Sequence, residues 1–554
     1  MRMRHLFVVP ALFVLVAAAL PSRAVGTAGE RGSTYLVLYD DAVTHEVGRA
    51  AVSQAGGVIV AENRAVGLAT VRSSNPQFLA AANSHAALLG AARNRPIGFA
   101  PTDAQPQRYD VEREPGIAAG RAEDRPSGSA PGDALSGLQW DMREIRATVD
   151  GSYSVQRGSH DVRVGIIDTG IDGSHPDLAR NFSERLSRNF THDIPLIDGS
   201  CREEPDRSCS DPPDVDEGGH GTHVAGIVGA EFNGLGTAGV APDVRLVNLR
   251  AGQDSGWFFL QQTVNALTYA GDIGVDVVNM SFFTDPWLYN CRDNPADSPE
   301  AQREQQIIIA ATQRALEYAH AHDVTLVSAS GNQFTDLGHP TEDEISPDFP
   351  PGSEYHRDVD NSCLTMPTEG RHVIVVNATG PTGRKAFYSN YGREQSNVAA
   401  PGGDSREFFG TPQYRTVDNL VLSAYPEDLL REQGLIRPDG TPAIPDVVRN
   451  CFRGTCAYYA YLQGTSMASP HAAGVAALIV TEYGKEDPRH AGLTLAPQEV
   501  RRRLEQTSDE HACPRPRLFN YQGLGPIFNA SCAGTRAFNG FYGHGIVNAA
   551  RAVA

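Results

Sequence analysis

Three short motifs present an acid, an imidazole and a hydroxyl in positions that suit chemistry. Asp168 follows the β-branched apolar run of residues 162–167, which is typical of a buried parallel strand with a carboxylate at its carboxyl end. His220 precedes an apolar helical segment, and Ser466 stands where an Ala-rich helix begins. Backbone N–H groups at such a helix start can hold the oxyanion that forms when a hydroxyl attacks a carbonyl. In the order Asp, His, Ser, these residues match a known chain order of the catalytic triad.

Each motif alone also has an ordinary structural interpretation. Ser466 is typical of the N-cap of a core helix, and Asp168 of a turn that follows a strand. The spacing of His220 and His223 suits a metal ion bound on one helix face. The coincidence of all three motifs favours acyl transfer by an activated serine over these alternatives.

The segments around these residues alternate between strands and helices. Strands are predicted at residues 162–167, 244–249, 275–280, 324–328 and 372–377, and helices at 224–228 and 304–319. This alternation predicts an α/β fold with a mostly parallel central sheet flanked by helices. Loops at the carboxyl edge of such a sheet border a cleft, which is where Asp168 is expected.

The three motifs and their neighbours resemble the subtilisin-like serine proteases. The resemblance spans most of residues 136–554 and includes the segments 387–392, 399–402 and 543–548. It implies a subtilisin-like fold and a serine endopeptidase that works through an acyl-enzyme intermediate. The alternatives are an exopeptidase-like member with a partly closed cleft, an esterase and an inactive binding homologue. Against an esterase, the sequence at the serine is Gly-Thr-Ser-Met-Ala and not the Gly-x-Ser-x-Gly elbow.

The resemblance implies one catalytic role for each motif. Asp168 would hold and orient the imidazole. His220 rather than His223 would be the general base, and Ser466 rather than Ser469 would be the nucleophile.

The resemblance further implies an oxyanion donor and the walls of a substrate cleft. Asn332 would donate its side-chain amide to the oxyanion together with the N–H of Ser466, and a turn asparagine after Gly331 is the alternative. The substrate-binding residues implied are Ser281, Phe282, Ala329, Ser330 and Gly331, and on the opposite edge Ser255 and Gly256. Where the family has Leu and Gly after Ser281, this chain has Phe282 and Phe283, which leaves the preferred substrate side chain open.

A structural calcium ion is the cofactor that the resemblance implies. Asp177, in the sequence Ser-His-Pro-Asp-Leu, and Asn233, in residues 231–237, occupy the positions of side-chain ligands in the family's calcium loop. Loop carbonyls would complete the shell. The alternative is a plain turn formed by Asn233 and Gly234 without an ion.

The N-terminal region has the features of export and of a separate small domain. Residues 1–24 read as a secretory signal peptide, because their apolar run is short for a membrane anchor. Residues 25–100 predict an α+β domain, with strands at 34–39, 57–61 and 66–71 and helices at 45–54 and 76–86. This domain resembles the ferredoxin-like propeptides of subtilisin-like enzymes and would be an intramolecular inhibitor. An unrelated binding domain that stays attached is the alternative.

Residues 101–135 predict an exposed linker that carries the processing site. The segment is rich in Pro, Gly, Ala and Arg and has hardly any apolar clustering. Residues 136–554 would then be the catalytic domain. Extra stretches at 195–219, 284–300, 334–370 and 403–460 are rich in Pro, Asp and Gly, and are predicted to be surface loops that shape access to the cleft.

Cysteine usage and charge complete the prediction of a secreted, monomeric zymogen. All 8 cysteines fall in residues 201–532, and an even number in an exported chain favours disulfides. Sequence proximity favours Cys201 with Cys209, Cys451 with Cys456, Cys513 with Cys532, and by remainder Cys291 with Cys363. Zinc is the alternative, but no pair has Cys-x-x-Cys spacing. The net charge of −19 argues against nucleic acid as a partner and favours a well-solvated surface. The resemblance implies protein or peptide substrates as partners, and no membrane anchor is expected.

Overall fold

The computed structural model describes residues 33–94, 111–114, 116–120, 132–195, 197–202, 207–350 and 352–554. The predicted signal peptide and most of the predicted linker lie outside the described residues. Among the helices within these ranges, none combines the length and apolar character needed to cross a membrane.

Residues 33–93 form a small α+β domain. Its elements are β1 (Ser33–Tyr39), α1 (His45–Gln54), β2 (Val58–Asn63), β3 (Leu68–Ser73), α2 (Phe78–Asn83) and β4 (Leu88–Arg93). The antiparallel sheet has the order β2-β3-β1-β4. The sequence pattern predicts every element except β4, whose residues include Gly90, Ala91 and Ala92 and have weak strand propensity. Pairing with β1 makes β4 a strand despite that composition.

The remainder of the chain forms one large α/β domain. In chain order its elements are α3 (Trp140–Glu144), β5 (Arg163–Ile167), β6 (Arg188–Asn189), α4 (His220–Gly229), β7 (Arg245–Arg250), α5 (Leu260–Asp272), β8 (Val277–Met280), α6 (Pro299–Ala321), β9 (Thr325–Ala329), β10 (Glu342–Asp343), β11 (Arg357–Asp358), β12 (Val373–Thr379), β13 (Val398–Pro401), β14 (Val421–Ala424), α7 (Glu427–Glu432), β15 (Val447–Phe452), β16 (Thr455–Leu462), α8 (Thr465–Tyr483), β17 (Lys485–Glu486), β18 (Leu493–Thr494), α9 (Pro497–Thr507), β19 (Leu518–Phe519), β20 (Ala530–Ser531) and α10 (Ala549–Ala552). The five strands predicted from sequence are β5, β7, β8, β9 and β12.

A seven-stranded parallel sheet is the centre of this domain. Its order is β13-β12-β9-β8-β5-β7-β6, and every neighbouring pair is parallel. Successive side chains of a strand point to opposite faces. Ile166 and Val327 accordingly pack with α4 and α8, whereas Ile167 and Leu326 pack with α5 and α6. The predicted α/β fold with a parallel sheet between helices is therefore confirmed.

The N-terminal domain lies against α5 and α6. Leu38 and Leu68 are fully buried in the apolar cluster that includes these two helices. Asn63 Nδ2 donates a 2.7 Å hydrogen bond to Thr268 Oγ1. Arg314 donates hydrogen bonds of 2.9 and 3.0 Å to the carbonyls of Tyr39 and Val66. The sheet face of the small domain is thus covered by the large α/β domain.

The prediction of surface loops at residues 284–300, 334–370 and 403–460 is wrong in part. The last stretch contains α7 and a three-stranded antiparallel sheet of order β14-β16-β15. The first two stretches pack on each other around Arg357, which is fully buried between Asp297, at 3.1 Å, and Asp343. Polar composition suggests exposure, but charged groups that are paired can be buried.

All four predicted disulfides are present. They join Cys201 with Cys209, Cys291 with Cys363, Cys451 with Cys456, and Cys513 with Cys532. The second of these bridges links the two insertions that pack around Arg357.

Candidate active site

Asp168 and His220 meet at the carboxyl edge of the central sheet. Asp168 follows β5 and is fully buried, and His220 is the first residue of α4. Gly219, which caps that helix, has φ of 79°, a conformation that favours glycine. His220 Nδ1 lies 2.7 Å from Asp168 Oδ1. This hydrogen bond fixes the ring, so that Nε2 faces the cleft.

Ser466 lies at the start of α8, on the other side of the same cleft. Its hydroxyl is 3.4 Å from the carbonyl oxygen of Ser281, and Ser281 Oγ in turn donates a 3.0 Å hydrogen bond to the Ser466 carbonyl. These contacts tie the helix start to the end of β8. By contrast, Ser469 Oγ is buried and donates to Asn279 Oδ1 at 2.6 Å, away from the cleft.

The second histidine of the motif has a structural environment. His223 is fully buried, and its Nε2 lies 3.0 Å from the carbonyl of Ala460. Burial lowers the pKa of His223 to about 3, so the ring is neutral. Of the two histidines, His220 is the one that faces the cleft.

A glutamate that the sequence motifs do not reveal joins His220 to Ser466. Ser466 Oγ donates a 2.6 Å hydrogen bond to Glu112 Oε1, and Glu112 Oε2 lies 3.4 Å from His220 Nε2. Burial opposes ionisation of Glu112, but the charge of His220 and hydrogen bonds from His220 and Ser466 lower its pKa. Burial alone would lower the pKa of His220, yet the charges of Asp168 and Glu112 hold it well above its usual value. Two acidic side chains thus flank the His220 ring and favour its protonated form.

Glu112 belongs to a segment that crosses the cleft, and we call residues 111–114 and 116–120 the strap. Gln463 donates from its backbone N to the Glu112 carbonyl at 3.1 Å and from Nε2 to the Val111 carbonyl at 2.7 Å. Further along, Ile117 is buried in the main apolar core, and the N–H of Ala118 donates to the Arg415 carbonyl at 2.9 Å. The strap lies within the predicted linker, which is therefore not exposed throughout.

Asn332 lies beside the start of α8 with its amide oxygen engaged. The oxygen accepts hydrogen bonds from Thr465 N, at 2.9 Å, and from Thr465 Oγ1, at 2.8 Å. Asn332 also lines the cleft, so its Nδ2 end is the one left to face a substrate. The N–H groups at the start of α8 point the same way, as at any helix N-terminus.

The predicted substrate-binding residues surround a cavity of about 430 Å³ at Ser466. Six of the seven line it, namely Ser255, Gly256, Ser281, Phe282, Ala329 and Gly331. Ser330 is the exception, because it is buried and its hydroxyl donates to the Asn390 carbonyl at 3.2 Å. Phe282 stacks on Phe258, with ring centroids 4.1 Å apart and planes inclined by 4°. This stack joins the two walls of the cleft, which is the structural effect of the unusual Phe282.

The two predicted calcium ligands are in contact. Asp177 is fully buried, and its carboxylate accepts hydrogen bonds from Asn233 Nδ2, at 3.1 Å, and from Tyr459, at 3.0 Å. Asp133, which the sequence does not single out, also lies here. Its Oδ2 is buried without a hydrogen-bond partner, and its Oδ1 accepts a hydrogen bond from the N–H of Gly234. Burial raises the pKa of Asp133 to about 7. Burial also raises the pKa of Asp177 well above its usual value, and the negative charge of Asp133 raises it further. Two buried carboxylates with an orphaned oxygen suit a hard cation.

Two other acidic groups could hold a metal ion. Asp193, Asp211 and Asp254 bring carboxylate oxygens within 4.8 Å of one another, but buried Arg250 pairs with all three. Exposed Glu342, Glu344 and His356 form the other group. In the first group the arginine already supplies positive charge.

One family model and several known proteins match this chain. A family model described as the subtilase family matches residues 159–545. The thermophilic serine proteinase of Bacillus sp. (strain AK1) is 28% identical over 362 residues, which cover 65% of this chain and 60% of that protein. Subtilisin DY of Bacillus licheniformis is 28% identical over 347 residues, covering 63% of this chain and 83% of the relative. This chain therefore spans less than two thirds of the length of the first relative.

One solved structure covers nearly the whole chain. The epidermin leader peptide processing serine protease EpiP from Staphylococcus aureus matches 94% of this chain and 98% of its own, with a TM-score of 0.59 and 20% sequence identity. At this identity the likeness concerns the fold.

Proposed function

Because the chain belongs to the subtilase family of serine proteases, we propose that it is a secreted endopeptidase, made as an inactive precursor, whose catalytic residues are Asp168, His220 and Ser466. The observation that carries the proposal is the 2.7 Å contact between His220 and Asp168. Glu112 contacts both His220 and Ser466, so the two side chains face the same cleft. The predicted signal peptide and the four disulfides support export.

The proposed mechanism begins when Glu112 leaves the cleft. His220 Nε2 then takes the proton of Ser466, and Ser466 Oγ attacks the carbonyl carbon of the peptide bond. Asn332 Nδ2 and the Ser466 N–H donate to the oxyanion. His220 returns the proton to the leaving amine, and water, activated by the same imidazole, releases the acyl group.

The path of the strap favours cleavage within a substrate chain rather than at its end. The strap is a chain segment without a terminus at Ser466, and it continues through Val111 on one side and Ile117 on the other. A groove that holds such a segment can hold the middle of a substrate, which favours an endopeptidase over an exopeptidase-like enzyme.

Latency of the precursor is supported by two separate contacts. The strap fills the space between His220 and Ser466, so substrate cannot reach the hydroxyl. The domain of residues 33–93 is seated on α5 and α6, whose buried contacts include Asn63 with Thr268. We infer that this domain is the propeptide, that it delivers the strap to the cleft, and that processing occurs in residues 101–135. A binding domain that stays attached would leave the cleft blocked.

Calcium is the proposed structural ion of the loop at Asn233. Asp177, Asn233 through its amide oxygen, and Asp133 would hold it, and the ion would neutralise two buried carboxylates. Asp133 lies at the end of the predicted linker and Asn233 lies after α4, so the ion would join the segment before the catalytic domain to its core, and processing would have to occur before Asp133 for the mature chain to keep this ligand. No catalytic step requires it.

The proposal is tested with a serine-directed phosphonate. The processed protein should be labelled at Ser466 and should hydrolyse an unstructured protein. Ser466→Ala should abolish both, whereas Ser469→Ala is the matched control and should retain labelling. Absence of labelling and hydrolysis in the processed wild type would mean that the chain is an inactive homologue, and hydrolysis of esters alone would favour an esterase.

A further inference from the structure

The strap places a second carboxylate in a basic pocket beside the cleft. Glu114 Oε1 lies 2.9 Å from Arg406 Nη2 and 2.6 Å from Arg415 Nη2, and Ser405 Oγ donates to Glu114 Oε2 at 3.1 Å. The Glu114 side chain is only 7% exposed. We call Ser405, Arg406 and Arg415, which each donate to this shielded carboxylate, the anion-binding pocket.

This pocket is attached to the catalytic residues and not only to the strap. The N–H of Ser405 donates to Gln463 Oε1 at 2.8 Å, and the N–H of Arg415 donates to the Ser405 carbonyl at 2.9 Å. Gln463 lies three positions before Ser466, and its own N–H binds the strap backbone. Although Ala118 of the strap donates to the Arg415 carbonyl, the two hydrogen bonds that join Ser405 to Gln463 and to Arg415 do not involve the strap, so the pocket is expected to persist when the strap leaves.

Loss of the strap would leave two guanidinium groups in a partly buried site. Side chains of Arg406 and Arg415 are 25% and 37% exposed with Glu114 in place. An arginine pair of this kind gains most from a carboxylate, which can accept hydrogen bonds from both groups. The direction of the strap indicates the position of that carboxylate in a substrate. Glu114 follows Glu112, the residue that contacts Ser466, by two positions.

We propose that Ser405, Arg406 and Arg415 form a subsite for an aspartate or glutamate of the substrate, on the C-terminal side of the bond that is cut. The inference rests on the proposed function, since it concerns substrates of the same cleft. A substrate that lies along the groove in the direction of the strap brings its own acidic side chain to the pocket. The enzyme would then select proteins with an acidic residue shortly after the cleavage point.

Cleavage-site profiling tests the subsite directly. An unstructured protein is digested with the processed enzyme, and the fragments are sequenced. The expected result is enrichment of Asp and Glu within a few positions after the cut, and loss of that enrichment in Arg406→Gln/Arg415→Gln. Arg502→Gln, which removes an exposed arginine on α9, is the matched control and should keep the enrichment. Equal profiles for wild type and the double variant would overturn the proposal.

A second test leaves the enzyme unchanged. A synthetic peptide of residues 111–120 should inhibit the processed wild type, and the peptide with Glu114→Gln should inhibit about tenfold more weakly, as expected for loss of charge-assisted hydrogen bonds. Against Arg406→Gln/Arg415→Gln the two peptides should inhibit alike. Equal inhibition of the wild type by both peptides would exclude the subsite even if the double variant failed to fold.

The two proposals fail in different ways. A processed protein that neither reacts with the phosphonate nor cuts any protein contradicts the proposed function. A protein that cuts well, with no preference for acidic residues after the bond, contradicts only the subsite.

Discussion

The hydroxyl of Ser466 donates a 2.6 Å hydrogen bond to the carboxylate of Glu112, although the two residues are 354 positions apart in the chain. A carboxylate in this position occupies the hydroxyl, and it also pairs with the imidazole that would have to accept the hydroxyl proton. In the proposed mechanism the contact would therefore oppose catalysis through both residues at once.

Removal of the Glu112 charge should speed activation of the precursor. Glu112→Gln weakens the contact with His220, and loss of a charge-assisted hydrogen bond of about 1.5–3 kcal/mol corresponds to roughly tenfold faster processing or more. The measurement is the rate of appearance of the mature N-terminus. Glu510→Gln, at an exposed position, should process like wild type, and an unchanged rate for Glu112→Gln would show that the strap is held by its other contacts.

Self-processing should depend on the proposed catalytic residues. Purified Ser466→Ala and His220→Ala should both remain uncut, because the serine without its base is a poor nucleophile at neutral pH. The wild type should yield a chain that starts within residues 101–140 and should become active only then. N-terminal sequencing and a peptidase assay follow the change. Processing of Ser466→Ala at the same bond, with no other protease present, would rule out self-cleavage.

The pKa of His220 should fall when Glu112 is neutralised. In the precursor, the charges of Asp168 and Glu112 hold that pKa above its usual value. NMR titration of Ser466→Ala, compared with Ser466→Ala/Glu112→Gln, should show the lower pKa in the second protein. Identical titration curves would mean that Glu112 does not face the imidazole in solution.

Processing should accelerate as the pH rises. The contribution of His220 to the ion pair is complete below its ordinary pKa and is lost as the pH rises through the raised pKa. That of Glu112 is present above its ordinary pKa and is lost as the pH falls through the lowered pKa. The pair is strongest between these limits, so alkaline pH releases the strap and also frees the general base. A wild-type processing rate that falls from neutral to alkaline pH would contradict this prediction.

Asn332 should affect turnover more than substrate binding. Asn332→Ala removes a donor to an oxygen that gains charge in the transition state, and the loss is on the order of 3 kcal/mol in the barrier. Asn332→Asp keeps an oxygen for the hydrogen bonds from Thr465 and should be impaired as well, because the donor is gone. The values of kcat and KM separate the two effects. Unchanged kcat in Asn332→Ala would assign the oxyanion to other donors.

Chelation should lower the melting temperature of the mature enzyme. An ion that binds only the folded state at a hundred times its Kd stabilises by about 2.7 kcal/mol. Asp177→Asn should remove the difference between calcium and chelator, whereas Asp439→Asn, at an exposed turn, should retain it. Equal melting temperatures of the wild type with calcium and with chelator would show that this loop does not bind the ion.

Residues grouped in short motifs are the ones that the sequence predicts well. Asp168 follows a strand, and His220 and Ser466 each stand at the start of a helix, so local pattern alone predicts their positions at the ends of these elements. The five predicted strands of the central sheet follow from apolar runs in the same way. Cysteine pairing succeeds because three of the four bridges close loops of fewer than 20 positions.

Contacts between distant segments are the ones that the sequence does not predict. Glu112 lies in a polar stretch without any motif, and only the folded chain brings it to Ser466. Asp133 becomes a candidate calcium ligand only because the fold buries it near Asn233. Ser330 points away from the cleft because its hydroxyl donates to the carbonyl of Asn390. Arg357 is buried because two aspartates from other segments surround it. In each case the decisive partner is many residues away.

The strap is held on both sides of Glu112, by the domain seated on α5 and α6 before it and by its own buried Ile117 after it. In the uncut chain the local concentration of Glu112 at Ser466 is therefore set by connectivity, at the millimolar order expected of short tethers, and does not change when the protein is diluted. One cut between the strap and Asp133 would separate the N-terminal domain, with Glu112 attached, as a dissociable ligand, whose occupancy falls as the protein spreads from its source. Inhibition that no dilution can relieve would thus become inhibition that dilution relieves.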